Sequence, residues 1–534
     1  MPGTLGLLAF GTVARAASLA GLVAIALATL GPPGGDEPAH LYRTYLVRQG
    51  VFIWDNFWFG GHYPLASYSL LYYFPASVIG NVRLAVAAVI ATAALFAFIA
   101  RREWGGDAYW PSLVFAVVSA APLFTGTYPF AVGMACLLGV LVALQVGRTW
   151  LAALCTILTV GFSPLAFLFL CLALLAVALV RGRFDRPVLV MAGAAGVAGA
   201  VQATALAVFA HDATYPFFRV GELIAVLSAS IFGTILALRS PRGQVLAAFL
   251  ALWGLVALLA FTFSTPVGEN VTRLRGFLFP LILLLAVQVR FRPAWFVLPA
   301  LVAAFAYTTI PYLGVIPYKG DRRPASEAFW TPALDFLRAH EDPNYRVEVV
   351  PTGDHWEAYW LPRAGFPLAR GWYRQVDYAL NPLFYRDRLT ETAYRRWLRR
   401  WSVNYVLLPN AQIGRAGEER EADLLRSGRS GLREVFRTSD WQIYRVPDPR
   451  PLLTGASAAS VTELEHDSVT GTVASPGIYR LALRYTPYWR LEVGGLCVDE
   501  AADGMTELRF SRAGSFKLQI ALAAHDNAVC KDSS

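Results

Sequence analysis

The chain has 534 residues, of which 56% are hydrophobic and 16% are charged. Soluble domains usually contain about 45–50% apolar and about 25% charged residues, so this composition excludes an ordinary soluble protein. The formal net charge of +9 does not indicate nucleic-acid binding, because much of the excess lies in short arginine clusters between apolar segments, where membrane topology places it.

Long apolar segments follow one another from the first residue to residue 316, and they become rare beyond it. A helix needs about 20 apolar residues to cross a bilayer, so residues 1–316 predict an α-helical, polytopic membrane domain of about eleven spans. The Tyr- and Pro-rich stretch 64–80 predicts an interfacial or re-entrant helix. The predicted spans lie near residues 12–31, 84–100, 108–122, 129–146, 149–160, 163–180, 187–210, 222–238, 243–264, 276–289 and 294–313.

The first span predicts a retained helix and not a cleaved signal peptide, because no small-x-small cleavage site follows it. With the N-terminus in the cytoplasm, most loop arginines fall on one side of the membrane, as the positive-inside rule requires. An odd number of spans then places the C-terminal region outside the cytoplasm. These arginines are Arg101, Arg102, Arg148, Arg181, Arg183, Arg186, Arg239, Arg242, Arg290 and Arg292.

The extracytoplasmic region predicts two further domains. Residues 317–439 combine a helical stretch at 390–401 with strand-like runs at 345–351 and 404–410, which is typical of an α/β domain. Residues 440–534 contain short alternating segments, beginning with WQIYRV, that favour a β-sandwich. Cys497 and Cys530 are candidates for a disulfide if this region faces an oxidising compartment.

The most polar segment near the membrane is the first outer loop, which opens with a helix-breaking Pro-Pro-Gly-Gly after the first span. Asp36 and Glu37 follow directly, and His40 and Arg43 come at three- and four-residue spacings typical of one helix face. Asp36 has two interpretations. It is either the N-cap of the helix that follows or a catalytic carboxylate.

An acidic pair that opens a long outer loop after the first span resembles the GT-C glycosyltransferases. These include protein mannosyltransferases, aminoarabinose transferases and mycobacterial arabinofuranosyltransferases. The resemblance is carried by DEPAHLYR at 36–43, while WDNFWFGGHYP at 54–64 is similar to uncharacterised actinobacterial membrane proteins of this class. The outer segments 369–385 and 401–409 are similar to bacterial multi-span proteins linked to envelope glycosylation. The resemblance implies a GT-C-like membrane domain, catalysis by a first-loop Asp, and a polyprenyl-phosphate sugar as donor.

Sugar transfer from a lipid phosphate needs a base for the acceptor hydroxyl and positive charge beside the departing phosphate. We predict Asp36 as the base, with Glu37 as the alternative. Arginine forks fit phosphate oxygens, so the cations of the outer rim are candidate donor ligands, together with two polar neighbours near the end of a span. Anchoring by snorkelling arginines is the alternative role for the latter group. The candidates are His40, Arg43, Glu269, Asn270, Arg273 and Arg275.

Other polar and aromatic residues are weaker candidates for contacts with the donor sugar or the acceptor. Asp55 and His62 are candidates for hydrogen bonds to the donor sugar, and a divalent cation is the minority alternative, because two isolated ligands do not make a metal site. The predicted reaction otherwise requires no cofactor. The acceptor-side candidates can stack on a sugar, or form an aromatic belt in the first loop and packing contacts in the outer domain. They are Trp54, Trp58, His355, Trp356 and Trp372.

The predicted function is therefore transfer of a sugar from a polyprenyl-phosphate donor to a cell-envelope glycan or lipid, at the outer face of the cell membrane. Two alternatives come from other classes: a lipid or polysaccharide transporter, and a non-catalytic assembly protein that binds glycans. An ion-coupled transporter normally keeps ionisable residues inside its helices, and the predicted spans contain almost none. The sequence does not indicate the oligomeric state.

Overall fold

The computed structural model describes residues 2–66, 68–182, 186–209, 214–313, 316–385, 389–414, 416–493 and 497–521. The chain forms two compact units. The first, here called the membrane unit, contains Met1–Glu37 and Ala66–Pro317. The second, here called the globular unit, contains Pro38–Leu65 and Tyr318–Ser534, so it includes most of the first loop. The composition of that loop did not indicate this grouping.

The first part of the chain is a series of apolar helices, as predicted. Nine helical segments of the described chain are long and apolar enough to cross a membrane. The helices are α1 Pro2–Leu30, α2 Glu37–Arg48, α3 Tyr73–Ile79, α4 Asn81–Trp104, α5 Tyr109–Val118, α6 Ala121–Thr125, α7 Tyr128–Gln145, α8 Thr149–Phe162, α9 Pro164–Arg181, α10 Arg186–Val208, α11 Val220–Arg239, α12 Gln244–Thr262, α13 Leu278–Gln288 and α14 Ala294–Leu313, with 3-10 helices at Gly105–Ala108 and Gly268–Phe277.

The sequence predicted about eleven spans, and two segments account for the difference. The run Asn81–Thr125 counts once with its 45 residues, although a straight helix of that length would extend about 68 Å, more than twice the hydrocarbon thickness. It is broken at Gly105, which has a φ of +59°, and α5 then packs on α4. The other segment, α8, has only 14 residues, which is short for a full crossing.

Close packing between the spans depends on small side chains, as is usual for membrane helices. A Cβ added to Gly254 would lie 2.3 Å from the hydroxyl of Ser230, and one added to Gly233 would lie 2.8 Å from the Leu250 side chain. The Ser230 hydroxyl also donates to the Leu250 carbonyl at 2.7 Å. These contacts hold α11 and α12 together without ionisable groups.

The α/β part of the globular unit has a four-stranded sheet of order β1-β2-β4-β3, in which β1 and β2 are parallel. The expectation that WQIYRV belongs to the β-sandwich is wrong, because it forms β4 and pairs with β2 through Tyr405–Pro409. The elements are α15 Glu327–Ala339, β1 Arg346–Val349, α16 Glu357–Arg363, α17 Arg374–Leu380, α18 Glu391–Arg400, β2 Val403–Pro409, α19 Ala416–Arg426, β3 Arg433–Arg437 and β4 Trp441–Arg445, with 3-10 helices at Ile316–Lys319, Arg323–Ala325 and Pro382–Phe384.

The C-terminal part contains two four-stranded antiparallel sheets, of order β10-β11-β8-β5 and β6-β7-β12-β9. Phe510 of one sheet and Phe516 of the other pack with ring centroids 5.3 Å apart. Cys497 begins β10, whereas Cys530 lies outside the described residues, so their pairing stays a prediction. The strands are β5 Leu453–Gly455, β6 Ala459–Leu464, β7 Ser468–Val473, β8 Gly477–Arg484, β9 Trp489–Val493, β10 Cys497–Glu500, β11 Met505–Phe510 and β12 Gly514–Ile520.

Candidate functional site

Asp36 is positioned by a close approach between two turns of the membrane unit. The chain leaves α1 at Leu30, and the amide of Asp36 then donates to the Thr125 carbonyl at 3.0 Å. Gly126 has a φ of +79°, and a Cβ there would lie 2.5 Å from the Asp36 nitrogen. Only glycine fits a position that combines a left-handed backbone with this contact.

The Asp36 carboxylate faces a cation and remains partly accessible. An Nη of Arg273 lies 3.8 Å from Oδ2 of Asp36, and each side chain is 30% exposed. Arg273 also hydrogen-bonds to Tyr68. In the described part of the chain, no backbone amide donates to the Asp36 carboxylate, so Asp36 does not act as a side-chain N-cap of α2.

Glu37 is more constrained than its neighbour. Its carboxylate accepts a hydrogen bond from the amide of Gly34 at 3.0 Å, and the hydroxyl of Tyr128 also hydrogen-bonds to it. Tyr72 lies nearby, and burial raises its pKa well above the usual value, with smaller contributions from Tyr73 and from the negative charge of Glu37. Both side chains are half-buried, and Glu37 holds the turn in place through its hydrogen bonds to Gly34 and Tyr128.

The cation beside Asp36 comes from an unusually long 3-10 helix, Gly268–Phe277, which has 10 residues. Runs of this kind longer than three or four residues are uncommon and often mark functional segments. The indole of Trp253 donates to the Val271 carbonyl at 3.0 Å. The hydroxyl of Thr308 donates to the Arg275 carbonyl at 2.8 Å. Neighbouring spans thus fix the backbone that carries Arg273.

The other predicted residues of this helix form ion pairs or a local backbone hydrogen bond. Arg275 donates to Glu222 at 2.9 Å, and Glu269 forms an ion pair with Arg219. The amide of Asn270 donates to the Val267 carbonyl, and its side chain is half-buried. Glu222 and Arg219 were not predicted, although a lone glutamate at the start of an apolar helix is a usable signal. Arg275 is thus more tightly paired with Glu222, at 2.9 Å, than Arg273 is with Asp36, at 3.8 Å.

His40 and Arg43 lie in the globular unit and are enclosed there. Each is 1% exposed. The guanidinium of Arg43 lies 5.2 Å from the ring centre of Tyr373 and 5.8 Å from that of Trp58, which is the range of cation–π contacts. The structure therefore does not bring these two side chains together with Asp36 in one unit.

Asp55 and His62 form a buried network with a histidine that the sequence did not single out. Asp55 is fully buried, and its carboxylate accepts from the Tyr42 hydroxyl at 3.0 Å. Nδ1 of His466 lies 2.8 Å from the same carboxylate, and Nδ1 of His62 lies 3.4 Å from it. Burial, opposed by Asp55, lowers the pKa of His62 to about 4. His466 is distant in sequence, so the local pattern around Asp55 contained no signal for it.

The first-loop tryptophans are also interior residues. Trp58 is fully buried and donates to the Ala358 carbonyl at 3.0 Å. Trp54 is 2% exposed and donates to the Asn56 side chain at 2.9 Å. Stacking on a sugar would require an exposed ring face, which neither residue has in this structure.

Two of the three outer-domain candidates, His355 and Trp372, line a small cavity. The rings of His355 and Trp372 stack at 3.6 Å between centroids, and Nδ1 of His355 lies 3.0 Å from Glu357. Trp356 is 6% exposed. The cavity beside His355 and Trp372 has a volume of about 20 Å³, which suits one water molecule and not a sugar ring.

No protein-family model and no curated protein matches this chain. Within the described residues, no group of three or more His, Cys, Asp or Glu side chains is placed to hold a metal ion. Among the predicted residues, the structure unites Asp36 with Arg273, while Glu37 supports the turn beside them. This pair combines a carboxylate that can accept a proton with a cation that can stabilise an anion.

Proposed function

We propose that this protein is a membrane glycosyltransferase that moves a sugar from a polyprenyl-phosphate donor to a cell-envelope glycan or lipid. The observation that carries the proposal is the partly exposed pair of Asp36 and Arg273, whose charged groups lie 3.8 Å apart. That separation exceeds a hydrogen bond, so a phosphate oxygen can approach Arg273 without first breaking a tight ion pair.

The two side chains have complementary roles in this reaction. The acceptor hydroxyl oxygen attacks the anomeric carbon, and its proton moves to the Asp36 carboxylate. The bond between the anomeric carbon and the phosphate oxygen breaks, and the polyprenyl phosphate leaves with both bonding electrons. Arg273 stabilises the negative charge on that phosphate through a charge-assisted hydrogen bond.

The surroundings of the pair support Asp36, and not Glu37, as the base. Glu37 already accepts from Gly34 and Tyr128, so its carboxylate is oriented towards its own turn. The Asp36 carboxylate has a single ionic neighbour, Arg273, among the residues that the structure describes. A base must reach the acceptor proton, and the carboxylate that is less engaged by its neighbours meets that condition more readily.

The membrane character of the chain favours a lipid-linked donor. Asp36 lies six residues after the end of α1 at Leu30, and Arg273 lies in the helical segment Gly268–Gln288, which is a candidate span. A polyprenyl carrier keeps its chain in the bilayer and its phosphate at the interface, where residues close to the end of a span can reach it. The arginine distribution between the spans supports a cytoplasmic N-terminus and a reaction at the outer face of the cell membrane.

Replacement of Asp36 tests the proposal directly. We expect Asp36→Asn to reduce sugar transfer from labelled polyprenyl-phosphate donors by about 10²–10⁴-fold, the usual contribution of a positioned base. Transfer is measured with the purified protein in lipid nanodiscs, and lipid extraction reports whether the variant still retains the donor. Asp107→Asn removes an exposed carboxylate of the same unit and is the matched control.

The outcomes separate the proposed enzyme from its alternatives. An enzyme loses transfer in Asp36→Asn while donor binding and thermal stability are retained. Undiminished transfer by this variant would contradict the proposal. A chain that shows no transfer in its wild-type form, but moves labelled lipid across the bilayer or only retains glycans, would support the transporter or the assembly protein instead.

A further inference from the structure

The globular unit contains a strongly basic cleft far in sequence from the residues of the proposed reaction. Its volume is about 600 Å³. Four lining arginines come from the exposed face of α18, one follows β4, and one lies on β8. These are Arg395, Arg396, Arg399, Arg400, Arg450 and Arg480, and they line the cleft together with Glu391, Asp448 and Asp503.

Positive charge in this cleft is only partly neutralised. Two nitrogens of Arg480 donate to one carboxylate oxygen of Asp503, at 2.9 and 2.6 Å, and Arg395 lies 3.5 Å from Glu391. Six arginines against three carboxylates leave a formal charge of +3 on the lining residues. Among the described residues, Arg396 and Arg399 have no carboxylate within ion-pair distance.

The stability of helix α18 does not explain why the arginines of the cleft are clustered. Arg395 and Arg399, like Arg396 and Arg400, stand four residues apart on one helix, and like charges at this spacing are destabilising. The dipole of α18 favours cations only in its last turn. It does not account for Arg450, whose pKa is lowered first by partial burial and then by the positive charges of Arg480 and Arg399.

The helix that carries the arginines is held firmly from behind. Its opposite face is buried through Tyr394, Trp397 and Leu398. The Tyr394 hydroxyl donates to Glu421 at 2.7 Å, and the Trp397 indole donates to the Asn381 side chain at 2.8 Å. The guanidinium groups therefore project from a fixed support, which reduces the entropy lost when they bind a ligand.

We infer that this cleft binds a glycan segment bearing several anionic groups, either phosphates or carboxylates. Guanidinium forks recognise both groups through paired hydrogen bonds. The volume falls in the range of about 300–1,000 Å³ that is typical of ligand sites. A concave cleft suits a discrete chain better than the flat array of headgroups in a bilayer. Anion binding by the cleft does not depend on the proposed function, whereas a role of the bound glycan as the acceptor of the transferred sugar rests on it.

The test compares two double variants of the full-length protein with equal net charge. Arg396→Gln/Arg399→Gln removes the two arginines of the cleft that have no carboxylate partner among the described residues. Arg338→Gln/Arg426→Gln removes two exposed arginines outside it, each paired with an aspartate. The probes are fluorescent oligogalacturonate, which carries carboxylates, and inorganic polyphosphate. A neutral malto-oligosaccharide and phosphatidylglycerol vesicles complete the set.

We expect the wild type and the control variant to bind at least one of the two soluble polyanions and to ignore the neutral sugar. The cleft variant should bind at least tenfold more weakly, with a shallower dependence of affinity on salt, because fewer counterions are released. Equal affinities of the two double variants, or no polyanion binding by the wild type, would overturn the inference. A cleft-dependent preference for the vesicles would assign the cleft to lipid headgroups and overturn it as well.

The Asp36→Asn variant keeps the two proposals separate. It should bind the polyanion like the wild type, because Asp36 is not part of the cleft. If Asp36→Asn retains sugar transfer, the proposed function fails and the cleft is unaffected. If Arg396→Gln/Arg399→Gln binds the polyanion normally, the cleft proposal fails and the proposed function is unaffected.

Discussion

Two adjacent carboxylates of the membrane unit, Asp36 and Glu37, differ in the contacts that their surroundings provide. Glu37 is engaged by the Gly34 amide and the Tyr128 hydroxyl. Among the residues that the structure describes, the Asp36 carboxylate has one ionic neighbour, the Arg273 guanidinium at 3.8 Å. The same chemical group is therefore held by hydrogen bonds at one position and less constrained at the next. This difference is the physical basis for assigning the proton transfer to Asp36.

The buried histidine of the globular unit makes stability depend on pH. The pKa of His62 is about 4 in the folded chain, against about 6.5 in an unfolded one. Between these values the unfolded chain binds a proton that the folded chain does not, so the free energy of unfolding falls as the pH is lowered. The expected loss from about pH 6.5 to pH 4 is about 3 kcal/mol.

Comparison of His62→Gln with the wild type isolates this effect. We expect the thermal midpoint of the wild type to fall more steeply on acidification than that of the variant. Burial also raises the pKa of Glu348 and of Glu421, which acts in the opposite direction, but this contribution is common to both proteins. His340→Gln changes a histidine at the end of α15 and serves as the control. Parallel pH profiles for the wild type and His62→Gln would contradict the prediction.

Only part of the candidate site was visible in the sequence. Asp36 was predicted because a helix breaker and a long outer loop follow the first span, and these are local signals. Asp55 was predicted as a sugar ligand, yet its carboxylate is fully buried between Tyr42 and His466. His466 follows Asp55 by 411 positions, and no periodicity or spacing connects residues at that separation.

At the scale of elements, the turn after α6 has a defined role in placing Asp36. A Cβ at Gly126 would lie 2.5 Å from the Asp36 nitrogen and 2.7 Å from the Glu37 nitrogen. We therefore expect Gly126→Ala to displace both residues and to lower transfer by at least tenfold. The strained backbone adds a cost of about 1–3 kcal/mol to folding, seen as a lower thermal midpoint.

Gly50 provides a matched control for this variant. It has the same φ of +79° as Gly126, and a Cβ there would meet nothing within 4 Å. Gly50→Ala therefore adds the backbone strain without the close contact, and it should leave transfer unchanged. If the two variants lose transfer to the same extent, the contact between Gly126 and Asp36 has no functional importance.

Among the elements, helices were easier to predict than strand partners. An apolar run specifies a membrane helix by itself, so the predicted spans coincide with helical segments. The alternation in Trp441–Arg445 specifies a strand and its buried face, but it does not specify the neighbour. That strand pairs with Val403–Pro409, about forty residues earlier in the chain. Both strands are central in the same four-stranded sheet, of order β1-β2-β4-β3.

At the scale of the whole molecule, the globular unit is assembled from two distant parts of the chain. Within it, the backbone amide of Leu368 donates to the Phe57 carbonyl at 2.8 Å, and the backbone amide of Arg484 donates to the Gly60 carbonyl at 2.8 Å. Within residues 318–534, the buried guanidinium of Arg346 connects the α/β part to the C-terminal part by donating to the Trp401 and Ala482 carbonyls. Burial lowers the pKa of Arg346 to about 9. The first-loop segment is thus part of the core of this unit.

This assembly predicts that residues 318–534 are unstable alone and recover stability when 38–65 is joined to them through a flexible linker. Without the segment, the globular unit lacks the Trp58 side chain, which is fully buried in it. Truncation of one buried tryptophan to alanine lowers the free energy of unfolding by about 3–5 kcal/mol. The fused chain should resist proteolysis and show a higher thermal midpoint, and Trp58→Ala within it should reverse most of that gain. Equal midpoints for the fused and unfused chains would mean that 38–65 lies on the unit without contributing to its core. Stability recovered by the fusion would show that residues 38–65, which include most of α2, are part of the folded core of the globular unit, whereas Asp36 and Glu37 belong to the membrane unit.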